Sequence, residues 1–199
     1  MYGREELLRS LKPYKVVPAP EEPPSNWEMG TRDQSLFASI SAVMQYLDWL
    51  GNKVEPEVRE KIRAYAGRTR LLKAALAWIE NYEQALSIAM LGGTQGVEGL
   101  CALPAVEVYG ITDPAQIQSR VPTFTFNIGD ANPLDVAKYL WDEHGIAVLA
   151  EDHGGFYSRT LNTYGKSIAV RASPVHFNTI EEVGLFLQAV KDAVRHFKP

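Results

Sequence analysis

The residue whose type and setting most invite chemistry is Arg171. It stands near the end of an alternating run, Ser167 to Ala172, in which Ile168 and Val170 face one way and Ala169 and Arg171 the other. A guanidinium at a strand end can point into a cleft and grip a carboxylate or phosphate with two parallel hydrogen bonds. The same residue could equally be a structural salt-bridge partner. Gly30 and Thr31 precede a helical pattern, where backbone donors and a hydroxyl offer either an anion seat or a simple cap. In the run from Glu151 through Asp152, His153, Gly154 and Gly155, three titratable groups lie side by side rather than at spacings that converge on a metal. Its glycines make it a candidate gating loop, or else a solvated one. His176 follows Arg171 by five residues and is a candidate polar neighbour of a cleft, or a capping or surface histidine. Cys101 sits among Leu100, Ala102 and Leu103, apolar company that raises a thiol's pKa and leaves it inert. The glycine-rich run from Gly92 to Gly99 lacks the Lys-Ser/Thr of a phosphate loop and reads as a flexible stop. No Gly-x-Ser-x-Gly elbow exists to nominate a hydrolytic triad.

The elements that must position these residues can be read from periodicity. Leu7, Leu8 and Leu11 make a short amphipathic turn, and Pro18, Pro20, Pro23 and Pro24 impose an extended connector. Thr31 or Asp33 then caps a helix carrying Leu36, Phe37, Ile40, Val43, Met44, Leu47 and Leu50, which is expected to stop at Gly51. From Glu57 to about Leu91 the spacing gives one long helix, or two broken near Gly67, with Trp78 and Tyr82 paired for packing. Strands follow over Val106 to Tyr109 and Thr123 to Ile128. Asn132 and Pro133 open a helix that ends at Gly145, and Ile146 to Ala150 makes a third strand. Ser167 to Ala172 is the fourth. Pro174 ends its ladder, and Thr179 with Glu182 forms a capping box for a last helix through Val183, Phe186, Leu187, Val190 and Val194. The order predicts an α+β layer in which helices cover one face of a small, mainly antiparallel sheet.

Composition narrows the function classes. The chain has 199 residues, of which 46% are hydrophobic and 22% charged, values of an ordinary globular protein with room for one sizeable core. A net charge of -4 with scattered Lys and Arg argues against a nucleic-acid partner. No apolar run approaches the ~18 residues a membrane helix needs. The single cysteine, Cys101, excludes an internal disulfide or a cysteine-cluster metal site and suits a reducing, cytoplasmic setting.

Taken together, several motifs resemble the C-terminal half of class V aminotransferases of the cysteine-desulfurase-like branch. They are the run Trp27-Glu28-Met29-Gly30-Thr31 with the helix after it, Arg120 to Phe126, His144 to Val148, Val170-Arg171-Ala172-Ser173, and Phe177-Asn178-Thr179 with Glu181-Glu182. These are pyridoxal-phosphate enzymes of fold type I, and the resemblance runs from about Tyr2 to Val194. It implies that Arg171 binds the α-carboxylate of an amino-acid substrate. It also implies that Gly30 and Thr31 reach across a homodimer to the partner subunit's cofactor phosphate. It further implies what is missing. The Schiff-base lysine, the pyridine-nitrogen aspartate and the stacking histidine of such enzymes have no match here, and Tyr2 to Leu8 resembles the segment after that lysine.

The chain is therefore expected to bind no pyridoxal phosphate covalently. Its expected parts are a tail of a large domain with a Pro-rich connector (1–30), a linking helix (31–55) and a small α+β domain (56–199). The loop after Ala150, where the family's desulfurases carry a catalytic cysteine, has no thiol, which puts persulfide-type desulfuration in doubt and leaves lyase or transferase chemistry open. Arg32 and Asp33 also depart from the family's pattern. The reading from a different class is a stand-alone, non-catalytic domain that binds a ligand or partner.

Overall fold

The computed structural model describes residues 3–28, 30, 33–94, 96–150 and 158–198. A short helix α1 (Glu5–Ser10) with no buried residue and a 3-10 turn (Ser25–Trp27) precede two long helices. The first, α2 (Gln34–Ile62), begins where Asp33 caps it, the carboxylate accepting from the backbone N–H of Ser35 and Leu36. It does not stop at Gly51. The glycine lies inside the helix because a β-carbon there would meet the Leu71 carbonyl oxygen of the next helix at 2.1 Å. Close approach of two helices, rather than a left-handed stop, is what the missing side chain serves here. The helix also runs through Pro56.

Helix α3 (Gly67–Gly92) follows a break at Arg63 to Ala66, so the long apolar pattern is two helices. They pack through Leu50, Val54 and Ala75, and through Val58, Ile62 and Ala74. Trp78 and Tyr82 stack at 5.1 Å within α3, while the Trp78 indole donates to Glu57 at 3.0 Å.

The glycine-rich run after α3 carries a pair of short strands rather than a flexible stop. Strands β1 (Gly93–Thr94) and β2 (Val97–Glu98) pair antiparallel, and a β-carbon on Gly99 would strike the Leu91 carbonyl at 2.2 Å. Gly93 has φ +103° and a crowded neighbourhood, so both backbone freedom and space require glycine there.

The main sheet consists of β3 (Val106–Tyr109), β4 (Phe124–Ile128), β5 (Leu149–Ala150) and β6 (Val170–Ala172). The order is β3-β4-β6-β5 and every pairing is antiparallel. The third expected strand is shorter than its apolar run, with only Leu149 and Ala150 pairing to β6. Helix α4 (Pro133–His144) is capped by Asn132 and closed by Gly145 at φ +65°, as its sequence implied. Helix α6 (Ile180–Phe197) opens on the expected box, with the Thr179 hydroxyl accepting from Glu182 N–H and the Glu182 carboxylate accepting from Thr179 N–H.

Alternation divides the sheet into two faces. Phe124, Phe126, Ile128, Val170 and Ala172 enter one core with Leu86 and Met90 of α3, Val136 and Leu140 of α4, and Phe186, Leu187 and Val190 of α6. Phe126 meets Phe186 edge-on at 6.2 Å. Burying each such side chain is worth about 1.5–3 kcal/mol, so this layer fixes the register of β4 and β6. The register delivers Thr125, Tyr109, Leu149 and Arg171 to the opposite face, where the short helix α5 (Ser158–Asn162) is pinned by Leu161 against Tyr109 and Ala169.

Candidate functional site

On that second face, Arg171 is the middle residue of β6, paired in register with Thr125 of β4 and Leu149 of β5. It is half-buried, and its side chain lines a cleft of about 160 Å³ between the sheet and α5. Tyr109, Leu149, Leu161 and Tyr164 supply most of the apolar wall, and Thr125 and Thr160 supply hydroxyls. A planar cation in an apolar recess suits a carboxylate attached to a small organic body: the fork binds the charge and the wall takes the rest.

One wall is braced from behind. The Tyr109 hydroxyl donates to Glu107 Oε2 at 2.9 Å, and Lys166 Nζ holds the same carboxylate oxygen at 2.9 Å. The contact with Lys166, and then that with Tyr109, hold the Glu107 carboxyl below the usual carboxylate range. Burial and the neighbouring Glu107 carboxylate push the Tyr109 phenol up. Its hydroxyl therefore keeps the proton it donates. Tyr164 lies 5.3 Å from Tyr109, ring centre to ring centre.

The other sequence candidates are not gathered in this cleft. His176 is neither a cap nor a surface residue: its Nε2 shares a hydrogen bond with the Tyr46 hydroxyl at 2.8 Å and its Nδ1 faces Glu83 at 3.6 Å. It joins α2 and α3 to the turn before α6. Tyr82 ties α3 to the same turn by donating to the Asn178 carbonyl at 3.0 Å. Cys101 is surface-exposed, with neighbours Leu100 and Leu103 buried, and partial burial of its thiol raises the pKa while Arg120 opposes the shift.

Gly30 is exposed at φ +71° with open space around it. Thr31 and the loop residues Asp152, His153, Gly154 and Gly155 lie outside the described residues. At the start of α2, the Asp33 carboxylate already accepts from Ser35 N–H at 2.9 Å and Leu36 N–H at 3.4 Å. It also takes the Ser35 hydroxyl, whose bond is the main cause holding its carboxyl below the usual range. Two of the first-turn donors that would face an anion, Ser35 and Leu36 N–H, are thus engaged by an anion of this chain.

What sequence reasoning missed was the wall. The period-two alternation of β3 that sets Val106 and Val108 toward the core also sets Glu107 and Tyr109 on Arg171's side. Likewise the Thr-Phe-Thr-Phe run puts Thr125 opposite the two phenylalanines, so these neighbours were recoverable once the pairing order was known. Tyr164 and Lys166, in a loop, carried no such signal.

The family model described as Aminotransferase class-V matches residues 67–186, more than half of the chain. The chain belongs to that family. A cysteine desulfurase of Klebsiella pneumoniae (strain 342) is 29% identical over 187 residues, covering 92% of this chain and 38% of its own length. A probable cysteine desulfurase of Staphylococcus epidermidis (strain ATCC 12228 / FDA PCI 1200) is 26% identical over 208 residues, covering 99% of this chain and 41% of its own. Among solved structures, the apo cysteine desulfurase from Thermococcus onnurineus NA1 superposes with a TM-score of 0.59 at 21% identity, over 98% of this chain and 42% of that one. That likeness shows the fold, the α+β arrangement of a fold type I enzyme. The chain spans about two-fifths of the length of the curated relatives it matches.

Pyridoxal phosphate, which the family resemblance implies, needs a lysine amine beside the reacting carbon. Among the described residues lining the Arg171 cleft there is no lysine, and nearby Lys166 is engaged by Glu107. With the Asp33 cap at the start of α2 as well, the described residues do not by themselves fit the cofactor.

Proposed function

We propose that this chain is the small-domain portion of a pyridoxal-phosphate-dependent class V enzyme acting on an amino acid, and that Arg171 is its docking point for the substrate's α-carboxylate. The observation that carries this reading is the placement of Arg171: in the sheet's middle register, half-buried, lining an apolar cleft rather than standing out in solvent. In this reading residues 1–30 are a tail and connector of the cofactor-holding domain, 31–55 a link and 56–199 the small domain. The cofactor, supplied with its lysine from outside these residues, would serve as the electron sink for lyase or transferase chemistry. The chain's own contribution is to bind and orient the substrate.

A homodimeric, cytoplasmic enzyme is the setting we propose, with Gly30 and Thr31 near the partner's cofactor phosphate; the engaged Asp33 cap makes that the weaker contact. The first turns of α2 support further packing against protein. Leu36, Phe37, Ile40 and Val43 are all at least half exposed, an apolar stripe of a kind that marks interaction surfaces. No helix among the described residues is long and apolar enough to cross a membrane.

The test is a titration of the isotope-labelled chain with acetate and with acetamide, followed by NMR. Acetate should shift the amides of Thr125, Leu149 and Arg171 and acetamide should not, and Arg171→Gln should abolish the acetate response. An acetate response that survives in Arg171→Gln would sink the assignment.

A further inference from the structure

We propose that the cleft beside Arg171 selects an amino acid with a hydrocarbon side chain, and that Tyr109, Tyr164 and Leu149 form its specificity wall. This rests on the reading of Arg171 as the carboxylate anchor and adds the substrate class. The wall is built of two aromatic rings and two leucines from three elements and a turn: Tyr109 from β3, Leu149 from β5, Leu161 from α5, and Tyr164 from the turn after α5.

Two features make that wall fixed rather than adaptable. Tyr109 is only 7% exposed, and its hydroxyl is turned to Glu107, so what it presents to the cleft is ring. Leu161, 6% exposed, holds α5 against Tyr109 and Ala169 and so sets the width of the recess. By contrast Tyr164 and Leu149 keep 45% and 37% of their surface exposed. Apolar surface left open at the mouth of a small recess is surface that a hydrocarbon group can cover, whereas a charged side chain would lose its hydration there and find only the Thr125 and Thr160 hydroxyls, the Arg171 guanidinium being taken by the α-carboxylate. The recess, about 160 Å³, suits a side chain of a few carbons. Each methylene buried there is worth roughly fourfold in affinity.

The test uses the full chain and three probes, acetate, 4-methylvalerate and glutarate, titrated by NMR into the wild type, Tyr164→Ala, Leu149→Thr and Arg171→Gln. The exposed positions of Tyr164 and Leu149 let those variants fold even if a Tyr109 variant does not. 4-Methylvalerate should bind at least about tenfold more tightly than acetate, with glutarate no better than acetate. Tyr164→Ala and Leu149→Thr should each remove roughly fivefold or more of the 4-methylvalerate affinity and leave acetate within about twofold.

Equal affinities for acetate and 4-methylvalerate, both lost in Arg171→Gln, would overturn the hydrocarbon selection while leaving the carboxylate anchor standing. A preference for glutarate would overturn it in favour of an acidic side chain. Affinities unchanged in Arg171→Gln would overturn the anchor and this inference together, as would no response to any probe at tens of millimolar.

Discussion

Replacing Gly51 by alanine tests the packing of the two long helices. In an exposed helix interior this change stabilises, because alanine is the better helix former by about 1 kcal/mol. Here the added β-carbon would lie 2.1 Å from the Leu71 carbonyl oxygen, 2.7 Å from its carbon and 3.0 Å from its α-carbon. Carbon contacts settle near 3.5 Å, so α2 and α3 must part by about 1 Å, and the obstacle is backbone that cannot swing aside. Overpacking of this kind costs roughly 1–3 kcal/mol and occasionally more, and a backbone obstacle belongs at the upper end. Net of propensity, Gly51→Ala should destabilise by about 2 kcal/mol, lowering Tm by roughly 4–8 °C for a chain of this size. Urea and thermal unfolding followed by circular dichroism would measure it. Gly92→Ala is the control: a β-carbon there meets nothing within 4 Å, and the change should be neutral or slightly stabilising. A Gly51→Ala chain as stable as the wild type would refute the close approach of α2 and α3 at this point.

Other outcomes follow from the caps, the charges and the open helix face. Thr179→Ala removes the hydroxyl that accepts from Glu182 N–H at 3.1 Å and should cost about 1 kcal/mol in urea unfolding. The Thr179 N–H, and then the Asn178 amide, hold the Glu182 carboxyl below the usual range. Its folded pKa is thus depressed, so its contribution is present above the unfolded value, about 4.3, and is lost as pH falls through the folded one. Glu182→Gln should therefore flatten that part of the acid limb of a stability-against-pH curve. Ile40→Glu, in the exposed stripe of α2, should reduce concentration-dependent self-association in sedimentation without lowering Tm.

How much of this was legible in the sequence depended on whether the signal was local. Asn132 with Pro133, Thr179 with Glu182, and Gly145 set element ends within a turn of themselves, and the structure places those ends where the residues imply. The strands Val106–Tyr109 and Phe124–Ile128 follow their alternation almost to the residue. Gly51 and the Gly92 to Gly99 run misled because a glycine required by a neighbouring backbone looks the same in sequence as one that ends a helix or loosens a loop. The stretch from Ile146 shows the complementary failure: its apolar residues suit a strand, but only Leu149 and Ala150 find β6 beside them. Arg171 was visible as an anomaly in its strand. Its neighbours come from β3, β4, β5 and the segment after α5, 22 to 62 positions upstream and a few positions upstream respectively, and became visible only with the strand order.

The most direct measurement is a crystal structure of the chain grown or soaked with 4-methylvalerate. The carboxylate should sit at the Arg171 guanidinium with two nitrogen–oxygen contacts of about 2.7–2.9 Å, and the hydrocarbon tail should lie against Tyr164 and Leu149. A carboxylate bound elsewhere, with the Arg171 side chain turned away from the recess, would contradict it.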